Sequence, residues 1–150
     1  FSPAENITRA DFLVLLVRTL GLTADFSDNF SDVYKTDYYY DAIGVAKALG
    51  ITTGVGNNKF NPKEPISRQD MMVLCDRALK IAGVLETKGS AADIQKFSDK
   101  GSVAAYAVES VAAIVKEGIV QGNGDGTLNP LGHATRAETA VIMYRIYNKL

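Results

Sequence analysis

The chain has 150 residues, 47% of them apolar, with 16 basic and 17 acidic side chains giving a formal charge of −1. That length suits one domain with a substantial core, and the balanced charge, without a long run of either sign, excludes bulk attraction to nucleic acid or an anionic membrane. One cysteine, Cys75, cannot close an internal disulfide, and one histidine, His133, leaves too few soft ligands for a zinc site.

The chain opens "FSPAENITRAD", in which Thr8 is followed by Arg9 and, three residues on, by Asp11. This spacing predicts a capping box: the hydroxyl accepts from an N–H of the first turn and the carboxylate reaches back to the cap's own N–H. The helix continues through the apolar stripe Phe12–Leu20, and Gly21 is placed to end it in a left-handed C-cap. The unbroken apolar run "FLVLLV" predicts a helix covered on more than one side. From Phe30 a second kind of unit begins, "FSDVYKTDYYYDAIGVAKALGITTG", with Asp37 as the cap of a helix over 38–49 and Gly50 ending it. "GVGNNKFNP" then turns through glycine and asparagine into a second box, Ser67, Arg68 and Asp70, whose helix runs to about Ile81 and stops near Gly83. Small, charged and flexible residues over 84–96 make the best linker. Phe97 opens the second unit again, "FSDKGSVAAYAVESVAAIVKEGIVQGNGDGTLNP", with Ser102 as cap of a helix over 103–117 and Gly118 as its end. The third box is Thr135, Arg136 and Glu138, ahead of "TAVIMYRIY".

The three boxes are separated by 59 and 68 residues, near the period of helical repeats. Residues 30–83 and 97–150 are then complete repeats, and 1–29 is the latter half of one. The chain starts inside this pattern at Phe1, which stands where Phe60 and Leu128 stand, with no initiating methionine. It is expected to be a piece of a longer protein. No segment reaches the roughly 18–20 apolar residues of a membrane span, and no basic start followed by an apolar run marks a signal peptide. An export signal, if the parent has one, is expected outside these residues.

A capping box explains the hydroxyl and the acid but not the arginine, because the first helical position faces solvent and accepts many residues. A helix start offers free N–H groups and a positive dipole end, and a guanidinium beside it adds a fork suited to carboxylate or phosphate. Arg9, Arg68 and Arg136 therefore predict three anion sites, each partly offset by its own cap acid. Arg18, Arg77 and Arg145 also coincide in the repeat and are taken as favourable charge toward helix C-termini. Cys75 falls opposite Leu16 and Met143 and is expected to be a buried structural thiol. His133 is expected to be an exposed, idle loop residue. "NGDGT" at 123–127 carries only part of a calcium loop and is better explained as a tight turn. "YYY" at 38–40 is either a core wedge or a stacking platform for carbohydrate, and the coincidence of Tyr38 with Tyr106 singles that position out. There is no nucleophile elbow, Walker loop, histidine triad or metal motif, so an enzyme has little to rest on and no cofactor is implied.

The pattern "FSD…Y…A…GI..G…DGT..P…TRAE" resembles the S-layer homology (SLH) repeat. The resemblance covers essentially the whole chain, and it implies an all-α domain whose three motifs form a pseudo-threefold spindle of helix-loop-helix repeats. It further implies a non-catalytic module, extracellular at the cell surface of a Gram-positive-type bacterium. Such a module anchors its parent to pyruvylated secondary cell-wall polysaccharide. Carried onto this sequence, it nominates Arg9, Arg68 and Arg136 as ligands of the pyruvyl carboxylate. Thr8, Ser67 and Thr135 support the groove, Gly54 and Gly122 let backbone approach the sugar, and Asp32 and Asp99 act as sugar-hydroxyl acceptors or as structural caps. Tyr38 and Tyr106 stand where the family often has tryptophan, and the second box reads "SRQD" in place of "TRAE". Because the family's grooves lie between neighbouring motifs, one groove is expected to need a second chain or an upstream segment. The alternative reading is a protein-interaction or self-assembly module that uses the apolar flank Phe12–Val17 of the half-motif, where Leu15 or Leu16 made polar would change the sedimentation mass.

Overall fold

The computed structural model describes residues 3–150; Phe1, and with it the register match to Phe60 and Leu128, lies outside them. The fold is all-α. Among the described residues there are five α-helices: α1 (Arg9–Leu20), α2 (Tyr40–Ala48), α3 (Arg68–Ile81), α4 (Val108–Lys116) and α5 (Arg136–Tyr147). None is long and apolar enough to cross a membrane.

The residues just ahead of the three boxes, Ile7, Ile66 and Ala134, close a ring of backbone hydrogen bonds. Ile7 N donates to Ala134 O at 3.0 Å, Ala134 N to Ile66 O at 3.0 Å, and Ile66 N to Ile7 O at 3.1 Å. All three are buried. The helices leave this ring already capped. Thr8, Ser67 and Thr135 accept from the N–H of Asp11, Asp70 and Glu138 at 3.1, 3.2 and 3.1 Å. Arg9 N, Arg68 N and Arg136 N donate to Glu64 O, Gly132 O and Glu5 O, and the next amides along to Pro62 O, Pro130 O and Pro3 O. Two expectations fail here for one reason. The first-turn amides of α1, α3 and α5 are not free for an anion, because the neighbouring repeat's loop carbonyls satisfy them. The acids do not reach back to their caps either, since Asp70 and Glu138 point across to the preceding repeat's arginine and Asp11 to Arg136.

α1 lies at the centre, packed against α2, α3 and α5, while α4 packs on α3. The apolar run accordingly has its faces covered. Phe12, Leu13, Val14, Leu16 and Val17 are buried and only Leu15, 41% exposed, reaches solvent, so the flank reserved for an assembly partner is core. Gly21 ends α1 in the left-handed conformation expected, with φ 62°. α2 and α4 cover α1 and α3, whereas Val141, Tyr144 and Tyr147 leave an apolar stripe of α5 exposed.

Helix starts inside the "FSD" units differ from expectation. α2 begins at Tyr40, because Asp37 accepts from Tyr34 N at 2.8 Å and closes a turn instead of capping. α4 begins at Val108, because Ala104 N donates to the Gln69 side chain of α3 at 2.9 Å and holds the chain out of the helix. Residues 91–94 form a short 3-10 turn boxed by Ser90 and Asp93 and packed on α4, with Leu85 and Ile94 in the core. Asp32 accepts from Phe60 N and Asn61 N, each at 2.9 Å, and Asp99 from Leu128 N and Asn129 N at 2.9 and 2.8 Å. Each "FSD" acid thereby clamps the loop that enters its own box. We expect Asp99→Ala to cost about 2–3 kcal/mol through two charge-assisted bonds. Ser102→Ala, which a true cap loss would make costly, should cost less than about 0.5 kcal/mol in denaturant unfolding.

Candidate functional site

Where one repeat meets the next, the box arginine crosses to the neighbouring acid. Arg9 Nη1 lies 3.4 Å from Asp70 Oδ2 and Arg136 Nη2 lies 3.3 Å from Asp11 Oδ2, and Arg68 pairs with Glu138. Arg9 and Arg68 are not solvent-facing: they are 8% and 5% exposed, and their Nε groups donate to Phe60 O at 2.8 Å and Leu128 O at 2.7 Å. The Arg9 guanidinium also stacks 4.7 Å from the Phe60 ring centroid. Burial pulls both guanidinium groups below their ordinary pKa, while Asp70 beside Arg9 and Asp99 near Arg68 oppose that pull.

Two of these junctions open into grooves of the same design. The first, of about 450 Å³, is lined by Arg9, the loop Thr52–Val55, Asp70, Val73, Leu74, Arg77 and Tyr106. The second, of about 260 Å³, is lined by Arg68, the loop Ile119–Gly122, Glu138, Val141, Ile142 and Arg145. Each holds two arginines against one carboxylate, a surplus of one positive charge. A third concavity, of about 300 Å³, has Asp32, Asp37 and Glu64 against Lys63 and is therefore acidic. Beside Arg136 no counterpart of the loops 51–55 and 119–122 stands among the described residues. Its guanidinium instead faces both Asp11 and Glu5, the latter at 3.8 Å.

Gly54 and Gly122 take φ of +80° and +83°, and a Cβ on either would lie 2.6 Å from the ring of Phe30 or Phe97. Their smallness is thus demanded by the chain itself, which packs an aromatic ring against each loop. The Tyr38 and Tyr106 hydroxyls donate to Asp11 and Asp70, and their rings are 69% and 59% exposed. Tyr106, Asp70 and Arg9 form one chain of contacts, and Tyr38, Asp11 and Arg136 another. His133 is exposed but paired, its Nδ1 at 3.2 Å from Asn6 Nδ2. Cys75 is buried, and burial pushes its thiol up, as an inert core position requires. "NGDGT" is a tight turn in which Asp125 accepts from Thr127 N and Oγ1 at 3.1 and 2.7 Å.

The grooves therefore bring together Arg9, Gly54 and Tyr106, and Arg68 with Gly122. They leave Tyr38 with Arg136, Thr8, Ser67 and Thr135 as caps, and Asp32 and Asp99 in loop clamps. Sequence reasoning missed the part played by Arg77 and Arg145, whose Nη1 groups donate to Ile51 O at 3.5 Å and Ile119 O at 3.0 Å. The signal was there: each coincides in the repeat, and each partner carbonyl belongs to a repeated Gly-Ile pair. Gln69 was missed because it looked like a weakened box; its amide ties α3 to Ala104 and, at 3.5 Å, to Tyr106 Oη.

Residues 29–72 and 96–140 match the family model described as the S-layer homology domain. The chain belongs to the S-layer homology domain family. This SLH chain is 35% identical over 150 residues to an amylopullulanase of Thermoanaerobacterium thermosulfurigenes, with 99% of the chain and 8% of that protein covered. It is 32% identical over 150 residues to an exoglucanase of Acetivibrio thermocellus, with 99% and 14% covered. It is 30% identical over 148 residues to the surface-layer 125 kDa protein of Lysinibacillus sphaericus, with 97% and 12% covered. The SLH chain thus spans a small fraction of these relatives, and their enzyme names describe proteins lying mostly outside the matched part.

Tyr38 is pushed up to about 12 by its bond to Asp11 and by burial, and Tyr106 to about 12 by burial and its bond to Asp70. A raised folded-state pKa stabilises fully below the unfolded value of 10.0 and loses that contribution as pH climbs toward about 12. Unfolding midpoints across this window should fall for the native chain. In Tyr38→Phe/Tyr106→Phe the fall should be shallower, and an unchanged slope would show that these hydroxyls are not coupled to the fold.

Proposed function

We propose that this domain is a non-catalytic anchor that holds its parent protein to a cell-wall polysaccharide bearing carboxylate groups, with pyruvate ketals as the groups recognised. Its place is the cell surface, in keeping with SLH membership and with relatives such as the surface-layer 125 kDa protein and the middle cell wall protein of Brevibacillus brevis. The observation that carries the polysaccharide reading is the repeated groove: a concavity between repeats, with a glycine-bearing loop, apolar walls and one surplus positive charge. A ketal carboxylate on a sugar fits that combination of local charge and mixed wall. Arg9 and Arg68 stand in the groove walls, with Gly54, Gly122 and Tyr106 beside them. Arg136, with Tyr38, marks the junction that a preceding segment or a second chain would complete. The ring of three boxes supports a pseudo-threefold spindle, and it sets the grooves around one domain. Weak grooves spaced along one domain then gain on a repeating polymer through effective concentration.

Calorimetric titration with pyruvylated wall polysaccharide, alongside the same polymer stripped of its ketals by mild acid, tests this. Binding should be strong to the first and at least tenfold weaker to the second. Equal affinity for both would end the carboxylate reading.

A further inference from the structure

We propose that Gln69 and Asp76 of α3, together with Ser110 of α4, form a buried polar key that decides which outer helix docks on which repeat. The key reserves α3 for α4, turns α2 away, and keeps copies of this chain from exchanging these helices.

Counted from the box hydroxyls, the three long helices share one register. Gln69 stands where α1 has Ala10 and α5 has Ala137, and Asp76 stands where α1 has Val17 and α5 has Tyr144. Gln69 and Asp76 are seven residues apart and so lie on one face of α3. Both are buried, and both are directed at the segment that carries α4. Gln69 Oε1 accepts from Ala104 N at 2.9 Å, and Ser110 Oγ, itself buried, donates to Asp76 Oδ2 at 2.8 Å. Lys80, one turn on, balances the charge of Asp76 and donates to Oδ2 at 3.2 Å, leaving Oδ1 without an aligned donor.

α1 and α2 pack without any of these groups. Ala10 and Val17 are buried, and the place of Ser110 is taken in α2 by Ala42, which packs on the core. Both outer units open on "FSD" and close on Gly-Ile, so they share a backbone frame and side chains must tell them apart. Laid on α1, the α4 unit would bring the Ala104 N–H and the Ser110 hydroxyl against Ala10 and Val17. Laid on α3, α2 would bring Ala42 against the Asp76 carboxylate. Either exchange strands a buried polar group, which costs more than the correct bond contributes, whereas the native pairing satisfies both. A buried carboxylate adds little net stability over a well-packed apolar pair, and its effect here is on the choice of partner.

The experiment compares the native chain with Ser110→Ala, Asp76→Val/Ser110→Ala and Gln69→Ala/Asp76→Val/Ser110→Ala, the last of which rebuilds between α3 and α4 the chemistry of α1 and α2. Each is refolded from denaturant at high chain concentration, its species are resolved by sedimentation velocity, and its thermal midpoint is recorded. Ser110→Ala should lower the midpoint by about 5 °C, and adding Asp76→Val should restore most of that loss. The triple variant should fold with a midpoint near the native one, but at least about a tenth of its chains should refold into larger, helix-exchanged species with a second set of α2 and α4 amide resonances. The native chain should refold to one species. Should the triple variant not fold, Asp76→Val/Ser110→Ala decides, and it should show the same exchanged species. Variants that refold to one species as the native chain does would overturn the proposal, as would a native chain that itself gives several. Failure of both multiple variants to fold would overturn it too, because the polar groups would then hold the fold and not select the partner.

Discussion

Three backbone hydrogen bonds among Ile7, Ile66 and Ala134 are the constraint on which the rest of this domain depends. Each residue comes from a different repeat, and none can be satisfied unless all three repeats are in place. Because the ring is buried, opening one bond leaves a donor and an acceptor without water, so the three segments are held together cooperatively. Every later feature inherits its position from that ring. The box hydroxyls cap α1, α3 and α5 one residue further on, the first-turn amides land on the next loop's carbonyls, and each arginine is delivered to the following repeat's acid.

This explains why the grooves lie between repeats and not within them. A repeat supplies the loop after α2 or α4 and the helix that carries the acid and the second arginine, but the buried arginine comes from the repeat before. Neutralising that arginine with Asp70 or Glu138 allows it to be buried, since an unpaired guanidinium in the same place would be costly. The pair makes a rigid wall. The groove is left with one further arginine whose donors are open, so the assembly separates the charge that holds the fold from the charge that faces solvent.

Much of the helix layout was legible because it is written in local chemistry. Ser or Thr followed three residues later by an acid marked α1, α3 and α5, and Gly21, Gly50 and Gly118 marked where helices stop. The starts of α2 and α4 were not legible, since Asp37 and Ser102 are reasonable caps by spacing and lose to tertiary partners: Tyr34 N takes Asp37, and Gln69 takes Ala104 N. The arginines were visible as a repeated oddity, but their burial was not, because nothing local reveals that a neighbouring repeat's carbonyls and acid wait for them. For the same reason Phe12–Val17 looked open from the sequence, although α2, α3 and α5 cover it. The second row, Arg77 and Arg145, coincides in the repeat and by position alone fits ordinary helix-end charge. Only the loop carbonyls of Ile51 and Ile119 place it in a groove.

Native-state hydrogen exchange of the Ile7, Ile66 and Ala134 amides tests the ring most directly. If the ring holds the repeats as one unit, all three exchange with the same free energy, equal to that of global unfolding and dependent on denaturant to the same degree. Exchange of Ile7 well ahead of Ile66 and Ala134 would contradict the account, because the first half-motif would then open alone and the grooves could not depend on a closed ring.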